Sequence, residues 1–451
     1  MLRSRLADAL RLQADPADVP AVSGFHAAPP RPRVLTLTLF CCVVLAAATT
    51  AHLFRLATRE VTRLWSDTGD PSIAADTTRW FVVWGIVSGA VLVAACIGRQ
   101  VERRAPARTG IEAVAASARG ENRRISLRAS GARAAATWLA SIGIASIGRE
   151  SAIIEMGGSF GTAAGRRFGG RGDALATAGI AAAFAGAYHA PFASVVYLEE
   201  HLRISTSRRA LLYATTGAAG GYFVSSVVFG EHAIFEAPTA SRWETLGLAL
   251  AVLLPAFVVS RLFRILRVRM KAGAIATRYR LPEWGVVAVF AVAAGAAVAT
   301  FPSAAGNGME ALRHVPHEPG LALALALGVG KLVGTTAALG SGAPGGAVTP
   351  SMGIASGCAL LVLLGFENLG LDIGADLMWG VAVCAMAIGV AAGLRSPLLA
   401  LTLVPELVGD YTMLPVIGIV VAAVYVVDLV VDRLVVRVRP LVPKAVYDED
   451  A

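Results

Sequence analysis

Residues 148–161 read GRESAIIEMGGSFG and place Arg149, Glu150 and Glu155 in a run that is otherwise small, apolar or hydroxylic. A carboxylate in such surroundings is costly, and ionisable groups inside membrane-buried segments are functional candidates by default. The neighbouring glycines and serine suit a helix that breaks, leaving backbone N–H groups free to face an anion. The expectation is that Glu150 lies where a helix N-terminus meets an ion pathway, with Gly148, Arg149 and Ser151 in the same turn. The simpler alternative is a structural ion pair between Glu150 and Arg149. Arg149 either shapes the field at the mouth or anchors Glu155. Five residues beyond Glu150, Glu155 is off its helix face, as one half of a buried ion pair or as a second protonatable site.

Two further stretches carry chemistry. In GSGAPGGAVTP (residues 340–350), Gly342, Gly345 and Gly346 permit close backbone approach, and Ala347, Val348 and Thr349 offer amides to an anion. Tight helix packing is an equal use for those glycines. Glu199, Glu200 and His201 end an apolar run that begins at Pro191. Histidine can pass protons near neutral pH, whereas a solvated helix end beside Arg203 would need none of this. Glu406 ends a similar run and reads as structural. Lys331, inside the apolar run 321–339, reads as a side chain that snorkels to an interface.

The elements that position these residues follow from composition. The chain has 451 residues, 56% of them hydrophobic and 16% charged. Soluble chains carry roughly a quarter charged residues, so this is a polytopic membrane protein, all-α, with helices packed through Gly and Ala faces rather than a β-barrel. The net charge of +9 comes from arginine-rich stretches between apolar spans. That is the pattern of cytoplasmic loops rather than of a nucleic-acid partner. Cys41, Cys42, Cys96, Cys358 and Cys384 fall in or beside apolar runs, read as buried small hydrophobes; no cofactor or metal is called for.

Residues 34–56 and 80–97 are long and apolar enough to span. The acidic loop between them (Asp67, Asp70, Asp76) and the basic one after them (Arg99, Arg103, Arg104, Arg108) place the N-terminus in the cytoplasm. Three segments result: a cytoplasmic N-terminal stretch 1–33 with an amphipathic helix, a transmembrane domain 34–439, and a short cytoplasmic tail 440–451. From residue 131 onward the apolar segments shorten and gain Gly, Ala and Pro. Residues 179–200 and 387–406 share one pattern: a Gly/Ala run, a small residue, proline, then an apolar run ending in Glu. Each follows a Gly-rich turn. The expectation is a duplicated transporter fold, with repeats at approximately 78–260 and 284–439 and discontinuous helices around a site near the midplane.

Taken together, these motifs resemble the CLC family of chloride channels and proton-coupled anion exchangers. Gly148-Arg149-Glu150 with Gly157-Gly158 is similar to the family's GREGP…GG segment. Ala190-Pro191 leading to Glu199-Glu200, the turn 340–350, and Arg395-Ser396-Pro397 leading to Glu406 follow in family order. The resemblance covers roughly 34–439. It implies an all-α inverted repeat of tilted, discontinuous helices, a homodimer with one pore per subunit, and dehydrated anions held by helix N-termini, which attract an anion without a trapping cation. It implies that Glu150 is the external gate and that Thr109, Gly110 and Ile111 stand for the first anion-binding turn. It also implies a proton relay at the cytoplasmic end of the helix after Pro191. An ungapped count puts His201 there and Glu200 one position before; a one-residue deletion would put Glu200 there instead.

The departures are equally specific. The proline of the first turn is Glu112, the Gly-Pro after the gating glutamate is Ser151-Ala152, a glutamine is Glu155, and a phenylalanine is Val348. A tyrosine near the C-terminus has no counterpart in residues 434–436. The function implied is transport of chloride or a similar monovalent anion across a bacterial inner membrane, with proton antiport, or else a passive gated channel. A membrane enzyme finds no HExxH, GxSxG or nucleotide-binding loop to support it, and a purely structural protein leaves the paired Gly-rich turns unexplained.

Overall fold

The computed structural model describes residues 33–438 apart from 106–107, 122–124, 169–171, 205–206 and 231–232, with side chains undescribed at 33 and 435–438. The expected surface helix within 1–33 and the tail 440–451 lie outside the described residues.

Helix α1 (Arg33–Ser66) outruns its apolar stretch, and in the added length Glu60 pairs with Arg63 one turn on. Within the acidic loop, Asp70 caps a short helix, α2 (Pro71–Thr77), through the N–H groups of Ser72 and Ile73. Helix α3 (Trp80–Arg104) ends on Arg103 and Arg104, where cations suit the helix dipole. Then come α4 (Ile111–Ala118), α5 (Leu127–Ile142, capped by Ser126), α6 (Glu150–Phe168) and α7 (Gly172–Tyr188). Helix α8 (Pro191–Val196) continues as a π-turn, Tyr197–His201, and α9 (Arg208–Phe223) as another, Val224–Val228.

The apolar run at 246–260 is not one straight helix: it is bent by 58° between α10 (Arg242–Ala251) and α11 (Leu253–Arg269). Pro255 explains the break, since it has no N–H for the carbonyl four residues back and its ring crowds that turn. The chain proceeds through α12 (Ala272–Tyr279), α13 (Glu283–Thr300), α14 (Met309–His314) and α15 (Leu321–Leu325). A π-turn joins α15 to α16 (Lys331–Gly340). Last are α17 (Val348–Asn368), α18 (Ala375–Leu394), α19 (Pro397–Val408) and α20 (Leu414–Val438).

Among the described residues, eight helices are long and apolar enough to cross a membrane, or nine if the bent pair is one span. Their burial is uneven. In α18, 94% of the apolar window is buried against other helices, but only 28% in α1 and in α20. So α18 is central, while α1 and α20 turn apolar faces outward. This corrects the reading of the cysteines: Cys384 in α18 is buried, but Cys41 and Cys42 are exposed on α1. Small residues bring helices together. A Cβ at Gly157 of α6 would overlap the Gly179 carbonyl of α7, and one at Gly179 the Gly157 carbonyl.

The two halves place equivalent turns face to face. Ile144 and Gly342 both have positive φ, and four residues later Gly148 and Gly346 form an antiparallel bridge, each N–H on the other's carbonyl at 3.2 and 2.8 Å. His189 and Arg395 also share φ near +55°, two residues before Pro191 and Pro397. The architecture is all-α with an internal repeat of discontinuous helices, as expected.

Candidate functional site

The Gly148–Gly346 bridge brings the start of α6 against the start of α17. Glu150, the first residue of α6, is buried. Its Oε1 accepts from the N–H of Val348 at 2.8 Å and of Thr349 at 3.4 Å; its Oε2 accepts from the Thr349 hydroxyl at 3.3 Å. The N-cap, Ala347, supplies no side-chain cap to α17. The carboxylate therefore lies where the dipole of a 21-residue helix is most positive, as a small anion would. A Cβ at Gly346 would collide with the Glu150 side chain, which is why glycine stands there. Gly148 differs from its sequence reading: its N–H is already given to Gly346, so it pins the turn rather than offering a free amide. Ser151 follows in the first turn of α6.

Arg149 pairs with neither Glu150 nor Glu155. Its Nη2 reaches Glu310 of α14 at 2.5 Å and the Asn307 side-chain oxygen at 3.5 Å. Burial pushes the Glu310 carboxyl up, but the Arg149 guanidinium beside it outweighs this and holds it below its ordinary value. Lys331 does not snorkel. It is fully buried, and its Nζ donates to the carbonyls of Ala304 and Gly306 at 2.9 and 3.1 Å and to Ser146 at 3.3 Å. The same Gly306 carbonyl accepts from Ile147, so the lysine braces the backbone behind the Glu150 turn. A cavity of about 690 Å³ opens on Glu150, Arg149, Glu310 and Tyr188, with Arg55, Arg59, Arg63 and Arg313 around its wall.

The first expected anion turn, at the start of α4, meets α6 at Glu155 and not at Glu150. Gly110 has φ +95° and precedes Ile111 at the start of α4. Its N–H donates to Oε1 of Glu155 at 2.7 Å, while Arg133 Nε donates to Oε2 at 3.2 Å. Thr109 lies beside it, and Glu155 is thus a paired, buried carboxylate, though its cation is Arg133 and not Arg149.

Between the two ends runs a line of aromatic side chains that sequence reasoning missed. The Tyr188 hydroxyl lies 3.2 Å from that of Thr349. The rings of Tyr188 and Tyr197 each pack on Phe184, with centroids 4.7 and 4.6 Å away, and Tyr197 stacks on His201 at 5.1 Å. His201 Nδ1 is 3.1 Å from the Ser396 hydroxyl. Glu200, by contrast, spends both oxygens on the backbone N–H groups of Leu398 and Leu399. Hydroxyl-bearing rings at 188 and 197, flanking Pro191 in apolar sequence, were the available signal.

Fold and site together define a multi-pass helical membrane protein built around facing helix N-termini, with a buried carboxylate lodged on one of them. Residues 89–428 match the voltage gated chloride channel family, and the chain belongs to it. The voltage-gated ClC-type chloride channel ClcB of Salmonella typhi is 27% identical over 297 residues, covering 64% of this chain and 70% of its own. The crystal structure of a slow cyanobacterial Cl⁻/H⁺ antiporter superposes with a TM-score of 0.68 at 22% identity, over 88% of this chain and 95% of that one. A CLC-type fluoride/proton antiporter gives 0.67 at 20% identity, over 88% and 96%. The two structures show the shared fold.

Proposed function

We propose that this protein carries chloride or a similar monovalent anion through each subunit of a homodimer in a bacterial inner membrane, exchanging it for protons, with both termini cytoplasmic. The observation that carries the reading is the Glu150 carboxylate on the Val348 and Thr349 amides. Deprotonated, it fills an anion position at the α17 N-terminus; protonated, it loses the charge that holds it there and yields the amides to an anion. Arg149, neutralised by Glu310, gives the mouth a balanced field instead of a trapping cation. Two repeats, approximately 78–260 and 284–439, supply the facing turns, and membrane lipid covers α1 and α20. The role is transport and not catalysis.

Of the two relay candidates we favour His201 over Glu200, because His201 ends the ring stack from Tyr188 whereas Glu200 is committed to the α19 backbone. A second reading, a passive gated channel, is favoured by the same residue: His201 stands where exchangers of the resembling family have a carboxylate. The test is flux from purified protein in liposomes, with chloride, nitrate and fluoride offered in turn. Transport of at least one supports the reading; silence with all three would sink it.

A further inference from the structure

Helix α6 carries two carboxylates, five residues and so about 7.5 Å apart along its axis; Glu150 takes two N-terminal amides of one helix and Glu155 the N-cap amide of another. Glu150 takes α17; Glu155 takes α4 through the Gly110 N–H at 2.7 Å. Helix α4 has no side-chain cap of its own from Gly110. Arg133, on α5, is the cation that faces Glu155. A second cavity, of about 670 Å³, opens at Arg108, two residues before Gly110, and is walled by Ser126, Arg128, Arg166 and Arg167. Among the described residues no carboxylate pairs with these four arginines. The Glu150 cavity meets the chain at Asp70 and Pro71, ahead of α3, and this one just past its C-terminus. The two cavities thus open toward opposite ends of a spanning helix: Glu150 itself lines the first, and the second reaches Arg108, two residues before the Gly110 amide that Glu155 takes.

Resting on the transport reading above, we infer that Glu155 is a second, inner gate. Its carboxylate competes with the transported anion for the Gly110 amide, and Arg133 holds it when it is displaced. The arginine-lined cavity concentrates anions at this end. An anion arriving there finds the amide filled by a tethered carboxylate, as an anion arriving from outside finds Val348 and Thr349 filled by Glu150. Passage then requires two carboxylates to give way in turn. Arg133 keeps the displaced charge compensated, so that the exchange leaves no isolated buried ion.

The test uses full-length protein in liposomes, wild type beside Glu155→Gln, with and without Glu150→Ala. Chloride efflux is measured against chloride concentration on the Arg108 side. Removing a competitor lowers the half-saturating chloride concentration several-fold and speeds efflux, and does so again in the Glu150→Ala background. A purely structural pair predicts an unchanged half-saturating concentration. Should Glu155→Gln elute as aggregate, Glu155→Asp, which keeps the charge near Arg133 but shortens its reach to Gly110, gives the same readout. Wild-type flux with unaltered saturation in the folded Glu155 variant overturns this inference alone. Absence of flux for every anion in wild type and Glu150→Ala would instead remove the transport reading, and the inner gate with it.

Discussion

Glu200 and Glu406 cap each other's helices. The Glu200 carboxylate accepts from Leu398 and Leu399 at the start of α19, at 2.9 and 2.7 Å; the Glu406 carboxylate accepts from Phe192 and Ala193 at the start of α8, at 3.0 and 2.8 Å. Each glutamate ends the run begun by the proline of its own half, so the contact is reciprocal and ties the two repeats together. Both helices begin with proline, whose missing N–H would be unpaired anyway, and the next two amides are the ones each carboxylate takes.

Glu200→Gln and Glu406→Gln should each cost about 1.5–3 kcal/mol, the range for hydrogen bonds to a charged group. Thermal unfolding in detergent checks this. A Glu200→Gln variant of undiminished stability that has lost proton movement would contradict the capping role.

His201→Phe should keep the ring stack on Tyr197 while losing the contact to Ser396. Chloride flux is expected to persist and proton movement to fall several-fold, read from an internal pH dye. Equal loss of both ions would point to a packing role.

Tyr188→Phe removes the hydroxyl beside Thr349 and leaves the ring on Phe184. A neutral hydrogen bond is worth about 0.5–1.5 kcal/mol. Half-saturating chloride should therefore rise by a factor of about two to ten, with little change in the unfolding temperature. An unchanged saturation curve would place that hydroxyl outside the pathway.

The Arg149–Glu310 pair predicts a pH signature. Because the folded protein holds the Glu310 carboxyl below its ordinary value, the pair's stabilisation is fully present above the ordinary carboxylate range. It is lost as pH falls through the depressed value. Wild type should exceed Glu310→Gln by about 1–3 kcal/mol near neutrality, and the gap should close only in acid. A gap that persists in acid would show that the charge is not its source.

Much of this was legible in the chain itself. The two Gly-rich turns, the two proline-initiated runs and Glu150 at a helix start all follow from local residue types, because glycine, proline and a lone buried carboxylate each admit few placements. Partner choice was not. Arg149 sits beside Glu150 in sequence yet binds Glu310, and Glu155 binds Arg133 of the preceding helix, because pairs across helices depend on helix rotation. Lys331 read as an interfacial side chain because an apolar run gives no sign of unpaired carbonyls nearby. Those carbonyls, of Ala304 and Gly306, come from the far side of a loop. The broken span at Pro255 and the outward Cys41 and Cys42 show the same limit: hydropathy marks what is apolar but does not say which neighbour, protein or lipid, each face meets.

The most direct test of Glu150 as a tethered occupant of the α17 N-terminus is simultaneous recording of chloride efflux and internal pH, in liposomes containing wild type or Glu150→Ala. The account predicts that an imposed chloride gradient drives protons uphill in wild type. In the variant, chloride should still move while proton movement is abolished. Proton coupling that survives intact in Glu150→Ala would contradict it.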